Sequence, residues 1–291
     1  MIYNPQYIVL FHHFRRFLEL AAKEKIEAIP LKGTHLLTSV YPPDQDRGVM
    51  SDVDFLVRPE HFERAGELLR KLGFNRLERT SLEIPEFEEA YILQIDETRR
   101  IMFEVHRYIF EPIRFPIDHE ALWARSAPSH FDGAPCRRLA SEDHFVHIAF
   151  HAAVHRLIPL ERSLMDLELL IRNGDIDLET VVARAQEWKV TRSVWLFIDL
   201  LRGQAPDLDL DSWSDRLAPP IPVRVALRML VPDGKVTRLT NIHHRLQAAV
   251  IWPVIFESPI QVLRFVATHP LARRLAWKMK NGLKGKISLR G

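Results

Sequence analysis

Asp52 and Asp54 open an apolar run, Asp52-Val53-Asp54-Phe55-Leu56-Val57, whose β-branched and aromatic content reads as a strand. Side chains alternate faces along a strand, so carboxylates at i and i+2 point the same way. Two carboxylates held that close repel each other unless a cation lies between them, and an oxygen-ligated ion such as Mg²⁺, or Mn²⁺, relieves the conflict. Upstream, Lys32-Gly33-Thr34 offers a backbone that can approach a phosphate closely, a hydroxyl that can bond it and an ammonium that can neutralise it. Arg47 adds a guanidinium, and Ser51 a second hydroxyl beside the pair. Phosphate-binding turn, basic residues and metal-binding pair, in that order, are the parts needed to handle a nucleoside triphosphate. An isolated Asp-x-Asp is also common on solvated strand ends; the ordered combination separates the two readings.

A further acid completes such a site. Two-metal phosphoryl chemistry holds its ions about 3.5–4 Å apart between several carboxylates. Glu104 stands in an otherwise apolar strand, Ile101-Met102-Phe103-Glu104-Val105, where an unpaired acid is costly to bury. It either joins the metal site or pairs with Arg99, Arg100 or Arg107. His106 shares its face, to bond phosphate, to move a proton or to pack. His144, His147, His151 and His155 form one helical stripe at spacings of three, four and four. The stripe lines a cleft, with His147 and His151 toward a nucleotide or acceptor, or it simply packs; Asp166 in the next helix is placed to orient one of its imidazoles. A zinc centre would need ligands from elsewhere, and neither a His-Glu-x-x-His pattern nor a nearby cysteine supplies them.

These residues need a frame. The spacing of Ile8, Leu10, Phe11, Phe14, Phe17, Leu18, Ala21 and Ala22 predicts an amphipathic helix over 5–27. A short strand at 29–31 delivers Gly33 to a helix over 34–40, whose first-turn N–H groups would face a phosphate. Residues 59–72 read as a helix, and 90–95 and 100–109 as two strands. The front of the chain, residues 1–112, is therefore a small mixed sheet with helices, an α+β arrangement. Residues 113–140, rich in prolines and aromatics, read as a connector that either stands apart or joins that core. From 141 to 291 the pattern is helical, with helices expected near 141–157, 161–172, 177–188, 191–203, 221–231, 236–256 and 259–281, and a Pro- and Asp-rich break over 206–222.

Composition agrees with a globular enzyme. In 291 residues, 47% hydrophobic content suffices for a core, and a net charge of +2 does not demand a nucleic-acid partner. The single cysteine, Cys136, excludes an internal disulfide and fits a reducing, cytoplasmic setting. No stretch reaches the roughly 18 uncharged apolar residues of a membrane span. After Glu257 no acid follows, while basic residues are interleaved with apolar ones. Residues 259–291 therefore present either a solvated basic face or a contact for anionic membrane or RNA; a membrane contact would make the protein peripheral to the bilayer.

The chain resembles an uncharacterised bacterial nucleotidyltransferase family of the DNA-polymerase-β-like superfamily. The likeness is carried by Lys32, Gly33, Tyr41, Arg47, Asp52, Asp54, Leu56 and Val57, then by Phe103-Glu104-Val105-His106-Arg107, and more loosely by 147–151 and Ser163-Leu164-Met165-Asp166-Leu167. It spans about residues 25–200. It departs from the wider superfamily in the longer insert of residues 35–50, in Thr34 where Ser or Gly is usual, and in Glu104 where Asp is usual. The resemblance implies a small nucleotidyltransferase sheet followed by helices, and a Mg²⁺-dependent transfer of a nucleoside monophosphate from an NTP such as ATP. The acceptor would bear a hydroxyl or phosphate and be a small molecule, saccharide, protein or RNA. Asp52, Asp54 and Glu104 would hold metal, and Lys32, Gly33, Thr34, Arg47 and Ser51 would hold phosphates. Two alternatives stand beside it: a toxin- or defence-type transferase acting on tRNA or protein, and a non-catalytic nucleotide-binding or regulatory module on the same fold.

Overall fold

A computed structural model describes residues 5–42, 45, 47–48, 50, 52–78, 87–112, 114–115, 117–155, 160–173, 176–231 and 252–268. Ser51, most of the expected helix over 236–256 and the basic stretch beyond Thr268 lie outside the described residues.

The amphipathic start forms α1 (Pro5–Lys23), which leads into β1 (Ala28–Pro30) and α2 (Lys32–Ser39). The carboxylate strand is β2 (Asp52–Val57). A 3₁₀ turn begun by Pro59 opens α3 (Phe62–Lys71), followed by β3 (Asn75–Arg76), β4 (Glu88–Gln94) and β5 (Arg100–His106). The sheet order is β1-β2-β5-β4-β3; β2 and β5 run parallel, and the other neighbours are antiparallel. The result is the expected α+β sheet, with a two-residue edge strand, β3, added to it.

The connector holds more structure than its composition suggests. It contains α4 (His119–Arg125) and a hairpin of β6 (Ala127–Phe131) and β7 (Ala134–Arg138). Asp132 and Gly133, the two turn residues, both have positive φ (47° and 81°), the geometry that matches the twist of paired strands and that Asp-Gly adopts readily. That dipeptide was the legible signal for the hairpin. Phe131 packs edge-on to Phe11 and Phe14, with ring centroids 5.0 and 4.9 Å apart, so the hairpin closes the core between α1 and the sheet.

The helical half comprises α5 (Ser141–Val154), α6 (Leu160–Arg172), α7 (Leu178–Glu187), α8 (Thr191–Gln204), α9 (Asp211–Leu217), α10 (Ile221–Leu230) and α11 (Pro259–Thr268). Helix α9 occupies what reads in sequence as a break. Leu210, Trp213 and Leu217 are buried at spacings of three and four, a helical face that the flanking prolines and aspartates obscure. Asp143 does not cap α5: its fully buried carboxylate takes Arg125 of α4 at 2.9 Å and Arg184 of α7 at 2.5 Å. The second core is continuous across the two halves, since Leu36 and Leu56 share it with Phe145, Ala149 and Trp195. Among the described residues no helix is long and apolar enough to cross a membrane.

Candidate active site

The register of β2 and β5 sets the site. Asp54 lies directly opposite Glu104, with Asp52 opposite Met102 and Leu56 opposite His106. Asp52, Asp54, Glu104 and His106 therefore share one sheet face. Among the described residues, Asp54, Glu104 and His106 bring ligating atoms within 4.8 Å of one another. His106 Nε2 is 3.1 Å from Asp54 Oδ1 and 4.0 Å from Glu104 Oε2. Asp52 lies outside that tight group and faces the adjoining cavity. The imidazole reaches back along β5 to the opposed acids, whereas Asp52 lies one side-chain repeat before Asp54 on β2.

Asp54 is clamped on both sides of its peptide. Its N–H donates to Thr34 Oγ1 (3.2 Å), and its carbonyl accepts from Leu31 N–H (2.9 Å). Thr34 is buried and absent from the cavity wall, so the hydroxyl expected to meet a phosphate instead positions the carboxylate strand. Lys32 sits at the start of α2 with φ +47°, a left-handed conformation unfavourable for a side-chain-bearing residue, and its Nζ lies 2.8 Å from Asp54 Oδ1.

Charge is uneven across the cluster. Burial acts to raise the Asp54 carboxyl, but the Lys32 ammonium and His106 more than offset it and hold Asp54 well below the ordinary carboxylate range. Burial likewise acts against the Lys32 ammonium, which Asp54, then Glu104 and Glu88, keep above its ordinary value. Glu104 goes the other way: burial first, and the Asp54 carboxylate second, push it up to about 7. It has none of the Arg99 or Arg107 pairing that sequence allowed, since those guanidinia meet Asp96 and Glu63. Two opposed acids, one of them driven toward its neutral form by the other, with an imidazole alongside, are a donor set that fits a divalent cation.

Linkage turns these shifts into a pH dependence. From its ordinary 4.5 to about 7, folded Glu104 keeps a proton that the unfolded chain has lost. Its contribution to stability is complete below the lower limit and disappears as pH rises through the upper one. Asp54, lowered on folding, acts only at more acid pH, so the windows do not overlap. The buried histidines, lowered on folding, act in the opposite sense over the same range, so the Glu104 contribution reads as a difference. In denaturant titrations of the metal-free protein, stability should rise more steeply between about pH 5 and about pH 7 in Glu104→Gln than in wild type. An identical slope in the variant would remove Glu104 as the source.

A cavity of about 250 Å³ opens beside the cluster. Lys32, Gly33, Arg47, Asp52 and Asp54 line it from the sheet half, and His151 of α5 with Arg162, Ser163 and Asp166 of α6 from the helical half. Arg47 does not hang free over it. Its Nε and Nη2 donate to Asp166 Oδ1 and Oδ2 at 2.7 and 2.6 Å, and Tyr41 Oη donates to the same carboxylate at 2.6 Å. Burial opposes the Arg47 charge, and the Asp166 partnership keeps the guanidinium above its ordinary value. Asp166 thus serves Arg47 and Tyr41, not an imidazole. Gly33 has a reason to be glycine: a Cβ there would collide with Arg47 Nη1, so the guanidinium rests directly on the α2 backbone.

The histidine stripe divides along its length. His144 and His147 are buried, and burial is the largest cause that holds both well below the ordinary imidazole range, so they are neutral. His147 packs edge-on against Phe110, with ring centroids 5.2 Å apart. Of the four, His151 lines the cavity; burial and then Lys32 lower it as well. Among the described residues no metal-type cluster involves the stripe. Burial pushes the Cys136 thiol up to about 11, which fits a packed thiol and not a nucleophile.

Sequence reasoning assigned no role to Arg162 or Tyr41 within the site. Tyr41 stood in the motif, but its partner is 125 residues away. Arg162 precedes Asp166 by one helical turn, a spacing that reads in sequence as an ordinary surface ion pair.

Known proteins resemble this chain in sequence and in fold. Residues 6–203 match the model of a family described as uncharacterised nucleotidyltransferase. Two solved structures are similar to it. One is the antibiotic-resistance factor ANT(2'')-Ia, at 12% identity and a TM-score of 0.41, covering 62% of this chain and 91% of that one. The other is an antigenic nucleotidyltransferase-like protein from Paracoccidioides brasiliensis, at 15% identity and a TM-score of 0.46, covering 72% and 91%. No curated relative matches the chain.

Proposed function

Since the chain belongs to the family of uncharacterised nucleotidyltransferases, we propose that it moves a nucleoside monophosphate from an NTP to a hydroxyl- or phosphate-bearing acceptor and releases pyrophosphate. An acceptor oxygen forms a bond to the α-phosphorus, the bond from that phosphorus to the bridging oxygen breaks, and the acceptor proton passes to solvent or a nearby base. The observation that supports this most is the direct opposition of Asp54 and Glu104 on parallel strands beside a cavity walled by cations.

Asp54, Glu104 and His106 would hold Mg²⁺ or Mn²⁺, with Asp52 at the cavity edge as the further carboxylate. When bound, the ion offsets charge on the transferring phosphoryl group and on the departing pyrophosphate. Lys32 and Arg47 would supply positive charge to the β- and γ-phosphates, and the fixed Arg47–Asp166 geometry would orient them without reorganisation. His151, neutral and facing the cavity, is placed to accept a hydrogen bond from an acceptor hydroxyl. The acceptor itself, whether small molecule, saccharide, protein or RNA, would enter between the sheet and α5–α6.

One observation favours a second reading. The Lys32–Asp54 ion pair at 2.8 Å puts an ammonium where a cation would sit, as a non-catalytic nucleotide-binding or regulatory module would keep it. Titration of ATP, GTP, CTP and UTP, with and without Mg²⁺, separates the two. Catalysis predicts Mg²⁺-dependent binding of at least one NTP together with slow pyrophosphate release. Nucleotide binding indifferent to Mg²⁺, with no pyrophosphate released, would establish the module; no binding of any NTP would sink both.

A further inference from the structure

Three cations line the cavity, and two of them are already committed. Lys32 is paired with Asp54, and Arg47 is held by both oxygens of Asp166. The third is Arg162, half-buried on α6. Among the described residues it has no carboxylate within ion-pair distance, although Asp166 lies on the same helix face one turn away. That neighbour is unavailable because Arg47 and Tyr41 occupy it. The Arg162 guanidinium instead extends toward the loop that carries Arg47: its Nη2 stands 3.4 Å from where a side chain on Gly48 would begin. Gly48 has φ +85° and no side chain, so the loop leaves that space to the guanidinium.

A half-buried guanidinium facing a polar cavity, its fork of donors unspent on any described carboxylate, is suited to an anion carrying several oxygens. The cation-lined wall is the part of the cavity where a polyphosphate finds most compensation, and Arg162 reaches it from the opposite side to Lys32. We infer that Arg162 is a triphosphate-binding residue, contributed by the helical half, which contacts the β- and γ-phosphates of the NTP across the cavity from Lys32. The inference rests on the nucleotidyl-transfer reading and adds to it a residue from outside the sheet. Helix α6 then serves the phosphates twice, because Asp166 fixes one guanidinium and Arg162 supplies another.

The test uses the full chain and two probes, the preferred NTP with Mg²⁺ and inorganic tripolyphosphate, with Mn²⁺ binding followed separately by electron paramagnetic resonance. Arg162→Ala should weaken both phosphate probes by about 10- to 100-fold, the range for losing hydrogen bonds to a charged group. Mn²⁺ affinity and melting temperature should stay at the wild-type values, and KM for the NTP should rise more than kcat falls. Arg162→Lys should fall between the two, because it keeps the charge but not the fork. Wild-type affinity for both probes in Arg162→Ala would overturn the inference, and would leave the wider reading standing if Asp54→Asn still abolished Mg²⁺-dependent binding. Loss of Mn²⁺ binding together with a lowered melting temperature would also overturn it, by showing a structural role. If the wild type binds neither probe, the inference falls together with the function on which it rests.

Discussion

Asp54→Asn should lower pyrophosphate release from the preferred NTP by about a thousandfold or more. Charge stabilisation by a bound metal ion contributes several kcal/mol to phosphoryl transfer, and each 1.36 kcal/mol is a factor of ten in rate. Asparagine keeps the shape and one carbonyl oxygen but removes the anion opposite Glu104, so Mn²⁺ affinity should fall in parallel. The cost to the fold should be smaller than the 3–5 kcal/mol typical of breaking a buried ion pair. The reason is local. Lys32 feels Glu104 and Glu88 as well as Asp54. Without the Asp54 charge, one of the three causes that raise Glu104 (burial, Asp54 and Glu88) is gone, so Glu104 ionises at lower pH and takes over as the counterion of Lys32. The variant should therefore be folded and inactive, with its Glu104 carboxyl titrating below about 7. Measuring rate, Mn²⁺ binding and denaturant midpoint on one preparation checks all three. Near-wild-type transfer by a folded Asp54→Asn protein would sink the mechanism.

Much of this arrangement is local in sequence and was legible there. Period-two alternation put Asp52 and Asp54 on one face, and β2 occupies the residues that the apolar run indicated. Glu104 stood out as an acid in an apolar strand, and the register places it opposite Asp54. The partnerships that decide what each side chain does were not legible, because they join residues far apart in sequence. Thr34 reads as a phosphate ligand until the Asp54 amide is found on its hydroxyl. Arg47 reads as a free guanidinium until Asp166, 119 residues on, is found to hold it. Asp166 in turn reads as a partner for histidine, yet His144 and His147 are buried and neutral and need no counterion. The same limit explains the fold. The hairpin at Asp132-Gly133 carried its own turn signal but sat among prolines that suggested a connector. Helix α9 needed only three buried positions, too few to outweigh the residues around it.

Asp166→Ala should be the costlier substitution for the fold, since it orphans a buried cation that has no second acid among the described residues to replace the first. Arg47 and Asp166 have side chains only 9% and 4% exposed, and Tyr41 Oη loses its acceptor at the same stroke. Leaving a buried charge unpaired costs about 3–5 kcal/mol, which in a chain of this size lowers the melting temperature by at least about 5 °C. Function should suffer by a separate route. Arg47 lies on the Gly33 backbone because Asp166 fixes both of its donating nitrogens. Released, the guanidinium would no longer be preorganised toward the phosphates, and KM for the NTP should rise. Replacing both partners, Arg47→Met with Asp166→Ala, removes the unpaired charge. The double variant should therefore be more stable than Asp166→Ala alone, while still binding NTP poorly. Loss of binding with recovered stability is the outcome that assigns the pair to positioning as well as to folding. If the double variant regained stability and wild-type affinity together, Arg47 would be a structural residue that does no more than satisfy Asp166. If Asp166→Ala melted within about 1 °C of wild type, the buried pair would not be holding the two halves of the site together.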